Sequence, residues 1–196
     1  NGGGKVENST TLSRYLSNRS FKIADSLYVV RKYSPYTKYI KKKSPVQPLM
    51  PILTRKRKSG LYHFGYFERH RFSPKRKNHY AGRVYILTGG NSFSATTLFV
   101  NAVRGQKNVT VIGEETGGGA YGNSAWAIPE INLPNTGVRT RLPLFRMVME
   151  KDIPNDGRGI MPDIPVVPTV ESVQKNYDNK LQRTMILIQE NRRKGS

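Results

Sequence analysis

Two apolar periods run through the second half of the chain. Arg83–Thr88 (RVYILT) and Val109–Gly113 (VTVIG) are short, mostly apolar runs, the pattern of strands covered on both faces. Between them, Leu98, Phe99, Ala102 and Val103 recur at helical spacing within Ala95–Val103, and Gly89-Gly90-Asn91 supplies a turn before them. Strand, helix and strand within about thirty residues predict a βαβ unit, and so a parallel sheet with a covering helix. Further on, Ala127–Leu133 and Val138–Leu142 flank Pro134-Asn135-Thr136-Gly137, which predicts a β-hairpin, and Phe145–Met149 adds a strand. Glu171–Glu190 carries Val173, Tyr177, Leu181, Met185 and Ile188 three or four residues apart, which predicts one amphipathic closing helix.

The first half is less regular. Asn1–Arg19 is a glycine run followed by Thr11–Leu16, a loop feeding a short helix, and Phe21–Val30 predicts a strand. From Tyr33 to Tyr80 the periodicity breaks, with prolines at 35, 45, 48, 51 and 74 between basic runs. The expected organisation is one α/β domain over residues 1–196, with a mostly parallel, helix-covered sheet and residues 33–80 as a basic, irregular insertion.

Composition changes this picture in three ways. No cysteine is present, which excludes a disulfide framework, a thiolate metal site and a cysteine nucleophile. Three histidines (His63, His70, His79) lack zinc-ligand spacing, so neither a metal nor another cofactor is expected. The net charge of +20 belongs to one half: residues 1–80 hold 19 Lys/Arg against 3 Asp/Glu, and residues 81–196 hold 14 against 10. The excess gathers in Lys41-Lys42-Lys43, Arg55-Lys56-Arg57-Lys58 and Arg69–Lys77. These runs read as a solvated connector or as a patch for an acidic surface or nucleic acid, and no nucleic-acid motif supports the latter.

Ser94 stands where the RVYILT strand hands over to the following helix. A side chain there rises above the edge of an α/β sheet, where ligands bind. The helix N-terminus adds N–H groups suited to an oxyanion. Serine is also a preferred helix cap, so position alone leaves both readings open for Ser94.

Several segments in order carry a resemblance. The chain opens Asn1-Gly2-Gly3-Gly4 and continues through RVYILTGGNSFSATTLF, VTVIGEETGGG and NDGRGIMPDIPV to an amphipathic helix containing Asp178. This succession resembles the tail-specific, C-terminal-processing serine peptidases, and within them the tricorn-like branch. The resemblance covers nearly all of the chain except residues 33–80. It implies a ClpP/crotonase-like fold and peptide-bond hydrolysis through an acyl-enzyme on Ser94. It maps oxyanion donors onto the backbone N–H groups of Ala95 and Gly3. Glycine would allow that close backbone approach, and a flexible chain end is the plainer reading of the same glycines.

The family's general base has no match here. Its Ser–Lys members carry a lysine shortly after a Gly-Glu-x-Thr segment; here Gly113-Glu114-Glu115-Thr116 runs into Gly117-Gly118-Gly119, with glycine where the lysine would stand. The resemblance therefore favours a Ser-His-acid arrangement over a dyad. It places the acid at Asp156, in Asp156-Gly157-Arg158-Gly159-Ile160-Met161-Pro162-Asp163, where glutamate is more usual. A turn before Gly157 is the other reading of Asp156, and Asp163 reads as a structural turn residue. His63, His70 and His79 read as surface or packing residues. Asn1 is not a natural start, so the expected base lies on a missing N-terminal part or a companion chain.

The sequence thus predicts a serine peptidase acting on polypeptides. The alternatives are an inactive relative that binds peptides or hydrophobic ligands, and an anion-binding protein using residues 41–77. The resemblance alone also implies a bacterial envelope location.

Overall fold

A computed structural model describes residues 2–33, 35–40 and 50–194; Lys41-Lys42-Lys43 lie outside them. In chain order the elements are α1 (Val6–Leu16), β1 (Ser26–Val29), a 3-10 turn (Pro35–Tyr39), α2 (Met50–Leu53), β2 (Arg55–Lys56), β3 (Tyr62–His63) and α3 (Gly65–Arg69). Then come β4 (Val84–Thr88), α4 (Ala95–Val103), β5 (Val109–Gly113), β6 (Gly122–Asn123), β7 (Glu130–Asn132), β8 (Arg139–Arg141) and β9 (Arg146–Val148). The chain closes with β10 (Ile164–Pro165), α5 (Val170–Gln174) and α6 (Asn179–Lys194). They form two compact units.

The first unit comprises residues 1–20, 72–120 and 156–196. Its sheet runs β10-β5-β4, with both pairings parallel, so the predicted βαβ unit is present. The register sets Val84 beside Val109 and Thr88 beside Gly113, which ends both strands level and gathers their loops at one edge. Val100, Val103, Val111, Ile112 and Ile160 are almost wholly buried and form the core. Each such aliphatic side chain contributes about 1.5–3 kcal/mol on burial. Helix α1 packs on α4. Its buried positions include Thr10 and Ser13, whose hydroxyls donate back to the carbonyls of Val6 and Ser9 at 2.9 Å, so small polar side chains are buried without orphaned groups. Asp163, read from sequence as a turn residue, accepts the N–H of Val111 on its Oδ2 at 2.8 Å, and so fixes β5.

The predicted closing helix is broken in two. Asn176 has φ 50°, in the left-handed region that asparagine tolerates. Asp178 Oδ1 then accepts the N–H groups of Lys180 (2.9 Å) and Leu181 (3.1 Å) and starts α6 afresh. The turn rotates the apolar stripe off one axis. Helix α6 lies against β4 and β5, with Thr184 buried, while Val173, Leu181 and Met185 stay about half or more exposed.

The second unit comprises residues 21–71 and 121–155. Its sheet runs β2-β3-β1-β9-β6 and is antiparallel throughout. Only Ser26–Val29 of the predicted Phe21–Val30 strand is extended pairing strand. The predicted hairpin is present and shorter, with β7 and β8 pairing Glu130 to Arg141 and Asn132 to Arg139. Gly137, at φ 68°, closes its turn by donating to Leu133 O at 2.9 Å. Leu27, Phe64, Phe145 and Met147 form the core. The described part of residues 33–80 is more ordered than its sequence predicts: β2, β3 and α3 all belong to structure built on β1.

Candidate active site

The loops at the carboxyl edge of β4 and β5 hold the sequence-predicted nucleophile. Thr88 closes that edge twice over, accepting the Glu114 N–H on its carbonyl (3.1 Å) and donating Oγ1 to the Glu114 carbonyl (2.9 Å). The chain then turns through Gly89-Gly90-Asn91, with Ser92 N–H donating to Gly89 O at 2.8 Å and Ser92 Oγ accepting from Gly89 N–H at 3.3 Å.

Ser94 has φ 53° and ψ −121°, the region where a side chain other than glycine's is strained. It precedes the first residue of α4 and makes no side-chain capping bond. The side-chain cap expected of a serine at this place is therefore not made. Ser94 thus stands at a sharp turn between β4 and α4. The strain is held locally: Thr97 Oγ1 donates to Ser94 O at 2.7 Å, Leu98 N–H donates to the same carbonyl at 3.1 Å, and Thr96 N–H donates to Phe93 O at 3.0 Å.

Gly3 is brought to this turn. Its φ is 109°, and a Cβ placed on it would lie 2.8 Å from Ser94 Cβ and 3.4 Å from Ser94 Oγ. Only glycine fits there, both by conformation and by space. Ala95 begins α4, so its N–H has no carbonyl one turn back in the helix to serve. Ser94, Ala95 and Gly3 are thus gathered in one place.

Asp156 is not gathered with them by any direct bond. It is exposed, and its Oδ1 accepts the N–H of Arg158 at 3.0 Å, closing a turn around Gly157 at φ 80°. The loop that carries it is nevertheless tied to the glycine loop beside Ser94. Gly119 and Gly159 pair as an antiparallel bridge, and Ala120 N–H donates to Arg158 O at 2.9 Å.

Sequence reasoning missed what makes that tie. Glu115 Oε1 accepts the N–H of Gly159 at 2.6 Å, and Oε2 pairs with Arg158 at 2.8 Å. Thr116, buried at 3% exposure, accepts the Ile160 N–H on Oγ1 at 2.8 Å and donates Oγ1 to Gly118 O at 2.8 Å. The only advance signal was glycine density at 117–119 and 157–159, which marks backbones in close approach.

Among the described residues, Lys180 and the three histidines are engaged away from Ser94. Lys180 Nζ reaches the open pocket of about 400 Å³ lined by Leu87, Gly89, Gly90, Asn91 and Glu114, but it is ion-paired to Glu114 at 2.5 Å. His63 lies in the second unit against Glu68, with Nδ1 2.7 Å from Oε1, so it is a packed residue rather than a surface one. His70 stacks on Tyr66, and His79 Nε2 lies 3.1 Å from Asn18 Oδ1. Among the described residues, no group of three or more His, Cys, Asp or Glu could hold a metal ion.

Known proteins share this fold. The sequence profile of Peptidase_S41, described as peptidase family S41, matches residues 1–166. Among solved structures, a candidate peptidase from Parabacteroides merdae ATCC 43184 is 23% identical, with TM-score 0.60 over 95% of this chain and 49% of its own. Mature CPAF is 15% identical, with TM-score 0.60 over 89% of this chain and 39% of its own. Mature CPAF complexed with lactacystin is 14% identical, with TM-score 0.57 over 89% of this chain and 39% of its own. These likenesses are of fold. This chain spans half or less of the length of those relatives. No curated protein matches.

Proposed function

The chain belongs to peptidase family S41, and from that premise we propose that it is the nucleophile-bearing portion of a serine peptidase that hydrolyses polypeptides, its first unit built on the ClpP/crotonase plan. Ser94 Oγ attacks the scissile carbonyl, and its proton passes to a base. The N–H groups of Ala95 and Gly3 receive the oxyanion. Collapse expels the amine, which takes a proton from the base, and leaves an acyl-enzyme on Ser94 that water then hydrolyses. The base is a histidine supplied from outside this chain. Asp156 orients it: Oδ1 is spent on Arg158, while Oδ2 has no partner among the described residues. Export to a bacterial envelope belongs to the same reading and rests on the resemblance.

The observation that carries the proposal is the strained, non-capping Ser94 with Gly3 packed against it. Strain of this kind costs about 1–3 kcal/mol and persists where a function uses it. A fluorophosphonate probe tests it in the full-length protein: one adduct is expected, on Ser94, absent from Ser94→Ala. No adduct on Ser94 would favour the second reading, a peptide-binding relative, which the turn-bound carboxylate of Asp156 supports.

A further inference from the structure

We propose that Glu115 is a positioning residue for the Ser94 turn, acting through the glycine loop that follows it; this rests on the reading of Ser94 as nucleophile. A strained backbone persists only where its surroundings over-determine it. At Ser94 one side of that support is α4 itself, through Thr97 and Leu98. The other side is the loop 117–119. Gly118 N–H donates to Ser92 O at 2.9 Å, two residues before the nucleophile. A Cβ on Gly118 would lie 2.7 Å from Thr97 Cγ2 and 3.1 Å from Phe93 Cα, so the loop backbone presses directly on the turn.

That loop cannot hold this position by its own conformational preference, since three consecutive glycines have the least. It is fixed from behind. Glu115 binds both the backbone of Gly159 and the guanidinium of Arg158, and its oxygens are the only side-chain acceptors from residues 113–120 that engage those two residues. Thr116 continues the seam by exchanging bonds with Ile160 on both sides, its N–H donating to Ile160 O at 3.1 Å. The result is a chain of support running from Asp156–Ile160, through Glu115 and Thr116, to Gly118, to Ser92 and Ser94. A carboxylate suits the first link because two charge-assisted bonds in fixed directions orient a loop better than one neutral bond.

The test uses the full-length protein with Glu115→Ala and Glu115→Gln. Glutamine keeps an oxygen for Gly159 N–H and loses the ion pair. The fluorophosphonate inactivation rate of folded Glu115→Ala is expected to fall about 10–100-fold, the scale of a displacement near one ångström, with probe affinity nearly unchanged. Glu115→Gln should recover most of that loss. A rate loss explained wholly by an unfolded fraction, or equal loss in both variants, would overturn the inference. Hydrogen exchange supplies a readout independent of activity. Glu115→Ala should lose protection in residues 89–98 while 109–113 keeps it; unchanged protection at 89–98 would overturn the latch. If the wild type takes no adduct, the peptidase reading falls, and the latch is decided by exchange alone.

Discussion

Glu68 and Glu115 each bind a backbone N–H and an arginine, in different units. Glu68 is 3% exposed; Oε1 accepts from Leu27 N–H at 2.9 Å and Ser26 Oγ at 3.3 Å and faces His63, and Oε2 pairs with Arg57. Glu115 is 29% exposed and takes one backbone N–H and one arginine. The buried carboxylate joins α3 to β1 and β3, elements already paired in a sheet. The half-open one joins two glycine-rich loops with no sheet of their own. The difference teaches that a carboxylate between strands serves stability, whereas one between loops sets the geometry of whatever those loops carry.

Substitutions can break this comparison. Glu68→Ala should have the largest effect, a loss of about 2–3 kcal/mol in denaturant unfolding, because the buried Leu27 N–H is left without an acceptor. A loss below 1 kcal/mol would place Glu68 among surface pairs. Thr116→Val comes next, at about 2 kcal/mol, since the Ile160 N–H is left buried without an acceptor. Its destabilisation should appear in exchange of residues 156–160 and leave 21–71 unchanged. Ser94→Gly has the opposite sign: release of the positive φ should stabilise the first unit by about 1 kcal/mol in thermal unfolding, and Ser94→Ala should not.

The smallest effect sharpens the comparison from a third carboxylate. Burial would raise the Asp25 pKa, but Lys22 Nζ at 2.8 Å and the Lys151 N–H at 3.2 Å outweigh it and hold it below 3.8. A depressed carboxylate contributes stability above its unfolded pKa and loses it as pH falls through the folded value. Asp25→Asn should therefore cost about 0.5 kcal/mol near neutral pH, with the difference shrinking as the pH falls below the ordinary carboxylate range in paired unfolding curves. A difference that grows on acidification would contradict the assigned sign.

What was legible in the sequence was local. The βαβ unit, the hairpin at 134–137 and the junction at Ser94 each announce themselves within a few residues, through apolar runs, helical spacing and turn chemistry. The break at Asn176 was hidden because the stripe from Val173 to Met185 keeps its spacing across a residue that leaves helical geometry. Glu68 and Glu115 were hidden for another reason. Their partners lie 41 and 44 positions away, and no local pattern marks a carboxylate that will meet a distant N–H. Ser94 could be placed at a helix start from sequence, but only its dihedral angles separate a cap from a strained turn.

The central claim is that Ser94 is a nucleophile held ready by that turn. The most direct measurement is intact-mass and peptide mapping of the full-length protein quenched during turnover of an unfolded polypeptide. The account predicts a covalent acyl adduct on the peptide containing Ser94, lost in Ser94→Ala together with cleavage. Cleavage that survives Ser94→Ala would contradict it.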